Sequence, residues 1–207
     1  MKTPSLGVLV LVTLLSGCGG GDSPTAPSKG NSNPTATVTV SETQALMGAT
    51  AVSFTATGSD PDGDALSYSW SFGDGASATG ATVTHVFAAA GTFGVVVTVS
   101  DGKGGNGTAS ASVAARSLAG LWTSQARAWN FEIQHVGGRL VGRLLGFKGV
   151  NLDPAPSLAG TVKSPRVVEF DVPGGLSFVG TVNPGATQMT GTLSEGSRNY
   201  GEVLDRN

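Results

Sequence analysis

Between residues 140 and 193 a five-residue unit, apolar-x-Gly-x-apolar, recurs four times: Leu140 to Leu144, Leu158 to Val162, Phe178 to Val182 and Met189 to Leu193. Period-two alternation puts both apolar ends and the central glycine on one face of a strand. Glycine weakens a flat strand, but it permits the sharp bending that a narrow barrel demands. Alternating runs at Trp129 to Ile133, Val168 to Val172 and Tyr200 to Leu204 read as further strands, with a first strand near Gly120 to Trp122. Gly137-Gly138, Pro173-Gly174-Gly175, Pro184-Gly185 and Glu195-Gly196 supply hairpin turns between them. About eight short strands joined mostly by tight turns predict a small antiparallel up-and-down β-barrel over 117–207.

Residues 36–115 have a different rhythm. Alternation at 36–40, 52–56 and 66–70 predicts strands, as do the longer run Phe93 to Val99 and the run Thr108 to Val113. Asp60-Pro61-Asp62-Gly63, Gly73-Asp74-Gly75 and the glycine-rich stretch 101–105 mark turns. About seven short strands in this length suggest an Ig-like β-sandwich. The motifs Ser59 to Asp64, Trp70-Ser-Phe-Gly-Asp-Gly75, Thr84-His-Val-Phe87, Gly91-Thr-Phe93 and Val99-Ser-Asp-Gly102 fall in the order and spacing of a PKD domain. The segment resembles that family, departing from it in Ser71, Phe87 and Phe93. The resemblance implies extracellular protein–protein or protein–carbohydrate contact. In the second half, Gly120-Leu121-Trp122 resembles the G-x-W opening of lipocalins and avidin-like barrels, which implies that a cation near the last strand, Arg206, covers Trp122. The fold class is therefore all-β: a sandwich followed by a barrel.

The chain of 207 residues carries 32 glycines and only 13% charged residues, and its one cysteine is Cys18. Lys2 and the apolar run Leu6 to Leu15 precede Leu15-Ser16-Gly17-Cys18, giving a charged n-region, an h-region and small residues at a cleavage point. The tetrad resembles the lipobox of bacterial lipoproteins. This implies a signal peptide over 1–17 and a thioether-linked lipid on Cys18, since a thiolate is the side chain best able to attack a lipid donor. The alternative is an ordinary secretory leader with an incidental cysteine. The run is too short to span a bilayer as a helix. The resemblance to lipoprotein sorting patterns implies, from Gly19 in place of Asp, an outer-membrane address in a cell that has an outer membrane. Residues 18–35, rich in Gly, Ser, Pro and Asn, read as a flexible tether. Residues 36–115 carry Glu42, Asp60, Asp62, Asp64, Asp74 and Asp101 against the single base Lys103, and neither half has the basic stripe that nucleic-acid binding requires.

Candidate chemistry is sparse. Asp60, Asp62 and Asp101 sit in turns that a sandwich brings to one end, where carboxylates suit a hard cation such as Ca²⁺. Linker residues such as Asn33 would add oxygens, and some members of the resembled family bind calcium there. The competing reading is a solvated Asx-turn in which each Asp bonds nearby backbone N–H groups. Trp70 reads as a core tryptophan, Asp74 as a turn former and His85 as a backbone-bonded histidine. His135 ends a strand, and Glu169 and Asp171 share an outward strand face. No nucleophile–base pair can be named, so an enzyme is not expected. Trp122, Trp129, Phe131 and Phe178 would line any ligand space inside the barrel, whose alternative is a filled core.

The expected function is a lipid-anchored envelope protein acting as a non-enzymatic binding module for an extracellular protein or polysaccharide, without nucleic acid. The alternatives are a carrier of small apolar ligands in the barrel and an accessory subunit of a secreted hydrolase.

Overall fold

The computed structural model describes residues 30–147, 150–163 and 166–207. The leader, Cys18 and the first part of the tether lie outside the described residues. Residues 31–207 form one unit built entirely from strands and loops, with no helix among the described residues.

The first half contains β1 (Thr35–Val40), β2 (Gln44–Leu46), β3 (Val52–Ser59), β4 (Ser67–Ser71), β5 (Ser77–Thr79), β6 (Thr82–His85), β7 (Gly91–Ser100) and β8 (Asn106–Arg116). They form two sheets, ordered β1-β3-β6 and β2-β8-β7-β4-β5. Alternation explains the layering. Val52, Phe54 and Ala56 of β3 and Val95, Val97 and Val99 of β7 are buried between the sheets, while the intervening Ser53, Thr55, Val96 and Thr98 face out. Trp70 fills the centre at 2% exposure and donates its indole N–H to the Gly80 carbonyl at 2.8 Å. Its ring lies 5.9 Å from Phe54, which in turn lies 5.5 Å from Phe72. The short β2, absent from the sequence reading, pairs in parallel with the end of β8.

The second half contains β9 (Gly120–Ser124), β10 (Trp129–Val136), β11 (Arg139–Phe147), β12 (Val150–Asn151), β13 (Ser157–Lys163), β14 (Val167–Val172), β15 (Leu176–Val182), β16 (Gln188–Glu195) and β17 (Arg198–Arg206). Apart from the short β12, which hangs on β11, the eight strands pair antiparallel with their sequence neighbours, and β17 returns to β9 to close the barrel. This is the up-and-down topology that the turn spacing predicts.

The four repeated glycines sit on the inner face as the period demands. At Gly142, Gly160, Gly180 and Gly191 a Cβ would fall within 3.0 Å of a neighbouring strand's carbonyl oxygen, those of Glu132, Glu169, Thr190 and Val179 respectively. The strands coil so tightly that backbone occupies the volume a side chain needs. The freed space is used: Phe170 stands opposite Gly160 in register, and the Phe178 ring folds over Gly180.

Replacing Gly142 or Gly160 by Ala should therefore lower stability by about 1–3 kcal/mol, the usual cost of overpacking. Gly201→Ala, where a Cβ meets nothing within 4 Å, should leave stability unchanged or slightly raised. Urea unfolding of the three variants, read as midpoints at constant slope, checks this.

Candidate functional site

The middle of the barrel is packed. Trp122, Phe131 and Phe178 are all 0% exposed. Phe170 lies 5.4 Å from Phe131 and is stacked at 5.2 Å on Phe178. Of the four aromatic residues expected to line a ligand space, these three are core side chains, and only Trp129 reaches a pocket. The reason is size: with glycines drawing the strands inward, aromatic rings fill the width.

The two ends of the barrel differ. The end formed by the β10–β11 turn, the β15–β16 turn and the start of β9 is closed by the sandwich. Leu46 of β2 and Leu118 of the connecting segment belong to the barrel's own apolar cluster, with Ala49 packed against it. Gly48 and Gly138, at φ +66° and +80°, bring their backbones together across the seam, where a Cβ on either would lie within 3 Å of the other's chain. Arg166 donates to the Gln44 carbonyl at 2.7 Å and pairs with Glu42 at 3.3 Å. Arg206 stands opposite Trp122 in the β17–β9 register and donates to the carbonyls of Ser117 at 3.1 Å and Ala186 at 3.5 Å. Trp122 Nε1 donates to the Leu118 carbonyl at 2.9 Å.

His135 belongs to this closed end. It is 5% exposed, and its Nδ1 accepts the Leu118 backbone N–H at 3.1 Å, so the neutral ring carries its proton on Nε2. Burial holds its pKa below the usual histidine value.

The opposite end is open. Trp129, Leu144, Leu152, Pro156, Val172 and Leu176 line a largely apolar pocket of about 260 Å³ with Glu195 at its edge. The β9–β10 turn that presents Trp129 is built on a buried carboxylate. Glu202 Oε1 accepts Ser124 Oγ at 2.5 Å and the Ala126 N–H at 3.0 Å, and Ser124 Oγ accepts the Arg127 N–H at 3.1 Å. Glu202 Oε2 is buried without a hydrogen-bond partner. These bonds hold Ala128 at φ 57°, a left-handed conformation that costs a non-glycine residue on the order of 1 kcal/mol. Arg127 is thereby laid over the Tyr200 ring, 3.3 Å from its centroid. Period two marks Glu202, since it shares the inward face of β17 with Leu204: an acid on the apolar face of a strand is the signal in the sequence.

At the far end of the sandwich, the acidic turns converge on the N-terminal segment. Asp101 is 4% exposed; its Oδ1 accepts the N–H groups of Lys103 and Gly105, and its Oδ2 accepts Asn31 Nδ2 at 2.6 Å. The Asn31 amide holds the Asp101 carboxyl below the usual carboxylate range, with burial opposing. Asp62 Oδ2 accepts the Ser32 N–H at 2.7 Å. Asp60 Oδ1 accepts the N–H groups of Asp62 and Asp64, an Asx-turn, while Asp60 Oδ2 and Asp64 Oδ2 are buried without a partner. Lys103 Nζ pairs with Asp64 at 2.6 Å. As the side chains stand, no three His, Cys, Asp or Glu groups among the described residues form a metal cluster. The donor set is nevertheless all oxygen and contains two orphaned carboxylate oxygens, which is the chemistry a hard cation completes.

The remaining candidates are structural. His85 bonds a carboxylate rather than backbone: its Nε2 lies 2.6 Å from Asp74 Oδ2, and its ring stacks on Phe72 at 4.1 Å. Glu169 pairs with Lys163 at 2.7 Å on the outer barrel surface. Neither histidine is hydrogen-bonded to a Ser, Thr or Cys side chain among the described residues.

A family model described as a PKD domain matches residues 31–115. Residues 31–115 are a PKD domain. The chain is similar to the PKD1 domain of Vibrio anguillarum Epp at 28% identity, over 42% of this chain and 99% of that one, with a TM-score of 0.36. It is similar to the PKD1 domain of the Vibrio cholerae metalloprotease PrtV at 32% identity, over 40% of this chain and 96% of that one, with a TM-score of 0.35. A solved carbohydrate-binding module of the β-sandwich superfamily aligns at 14% identity over 86% of each chain, with a TM-score of 0.41. A comparison with curated proteins found no match.

His135 makes the seam between PKD domain and barrel sensitive to acid. Its folded pKa is depressed, so the unfolded chain takes up the proton first and stability declines as pH falls below about 6.5. In His135→Asn, which keeps an acceptor for Leu118 but does not titrate, that component should vanish. The wild-type-minus-variant stability difference should shrink between pH 7 and pH 5; a difference independent of pH would contradict the assignment.

Proposed function

We propose that the chain is a non-enzymatic binding protein of the bacterial envelope, held by a lipid on Cys18, in which the PKD domain carries the barrel outward and the barrel's open end meets an extracellular protein or polysaccharide. The observation that carries this reading is the asymmetry of the barrel. One end is sealed by the chain's own PKD domain, and the other presents an apolar pocket around Trp129 on a turn held in strain by Glu202. Buried strain and a buried carboxylate are costs that a purely structural barrel has no need to carry. Aromatic rings pack the barrel interior, so a carrier reading rests on the pocket around Trp129, whose volume of about 260 Å³ suits a small apolar group.

In the native cell, mass spectrometry should find an acylated N-terminal Cys18, and Cys18→Ser should leave the membrane fraction. On immobilised envelope proteins and insoluble polysaccharides, Trp129→Ala should reduce retention of the full chain about tenfold or more, the effect of losing a central aromatic anchor. Equal retention of the variant would remove the open end from the function.

We assign the acidic end of the PKD domain a calcium ion held by Asp60, Asp62 and Asp101, which when bound would cross-link the N-terminal segment to the turns. What supports this is the oxygen-only donor set and the orphaned Asp60 oxygen. Calcium should raise the melting temperature, a chelator should reverse the rise, and Asp62→Asn should lose the response. Calorimetry without calcium heat would sink the assignment.

A further inference from the structure

A second cleft lies at the seam between the PKD domain and the barrel, away from the open end. It has a volume of about 360 Å³ and is lined by Ala90, Gly91 and Thr92 at the start of β7, by Ala115, Arg116 and Ser117 beyond β8, and by Gly185 and Arg206 of the barrel. Clefts between domains are favoured places for small ligands, and this volume is within the range of known sites. Its lining has two guanidinium groups and no carboxylate.

Neither of the two arginines is neutralised by an acid in the cleft. On another part of the seam Arg166 has Glu42 as its counter-ion. Arg116 and Arg206 have no carboxylate partner among the described residues. Arg206 is fixed by its Nη1 bonds to the carbonyls of Ser117 and Ala186, which orients the guanidinium without discharging it. Asp205 beside it is occupied by the side-chain amides of Gln188 and Gln125. A planar, always-charged fork held in place in a cleft is the residue type that recognises a carboxylate through two parallel hydrogen bonds.

The rest of the lining adds a second chemical requirement. Ser117 Oγ accepts the Ala119 N–H at 3.1 Å, so its own proton is left to donate outward. Thr92 contributes another hydroxyl. Gly91, Gly185, Ala90 and Ala115 have no side chain long enough to fill the space, so a ligand can approach the backbone. From these features we infer that the seam cleft binds a hydroxylated carboxylate of sugar-acid size, such as one uronic acid unit, free or within an acidic polysaccharide. The inference deepens the binding reading above by naming a ligand class, at a site independent of the open end of the barrel.

Isothermal titration of the full chain with a uronic acid disaccharide, its neutral hexose counterpart and inorganic phosphate tests the assignment. The uronate should bind at least tenfold more tightly than either comparison ligand. Arg116→Gln should weaken it about tenfold through loss of the cationic fork while leaving the fold intact, since the Arg116 side chain makes no hydrogen bond or ion pair among the described residues, and Trp129→Ala should leave it unchanged. A longer acidic oligosaccharide binding more tightly than the disaccharide would place the unit within a polymer; equal affinity would place it as a free sugar acid. Equal binding of the neutral sugar, phosphate binding as tight as the uronate, an unaffected Arg116→Gln variant, or no heat at all would each overturn the inference. Loss of uronate binding in Trp129→Ala would also overturn it, and would leave the open end as the binding site.

Discussion

Closing eight short strands around a narrow interior forces neighbouring backbones into the space a Cβ would take. Glycine at four inward positions is the condition for that closure. The remaining features of residues 117–207 follow from it. Tight coiling narrows the barrel, aromatic rings at Phe131, Phe170 and Phe178 then suffice to fill it, and ligand space is pushed out to the ends. A barrel with side chains at those positions would be wider and would need either a larger core or a bound guest.

The ends are where the two halves of the chain become one object. The PKD domain has a complete core of its own around Phe54, Trp70, Phe72 and Phe87. The barrel does not: Leu46 and Leu118 complete its floor. Hydrogen bonds at the same seam are directional and buried, with His135 on Leu118 and Trp122 on the Leu118 carbonyl. These bonds tie the connecting segment to the barrel, and the burial of Leu46 from the PKD domain in the barrel's apolar cluster sets the placement of the two domains more firmly than surface ion pairs, which contribute little in water. The clefts at the seam and at the open end are therefore shaped by different constraints, one by the docking of the domains and the other by a turn on a buried acid.

Period-two alternation made most of the strands legible, since most inward residues are apolar, although outward valines such as Val96, Val141 and Val179 and inward polar residues such as His135 and Glu202 break the pattern. The glycine-centred units located four barrel strands and also gave the reason for the glycine. The PKD motifs placed Trp70 and the acidic turns correctly because their spacing encodes turns and a central aromatic. What the sequence did not disclose is long-range pairing. Nothing near His85 marks Asp74 as its partner, and nothing near Asp101 marks Asn31, 70 residues away. Leu46 lies in a short apolar run that local patterning cannot assign to a core belonging to another domain. Glu202 was legible only as an exception to the alternation, and its partners Ser124 and Ala126 meet it through barrel closure alone.

The floor built from Leu46 also bears on how such a chain can be inherited. A β-sandwich with its own interior can be copied between genes and still fold. The barrel carries an apolar opening shaped to one particular leucine from upstream, and on its own it would present that opening to solvent as an adhesive patch.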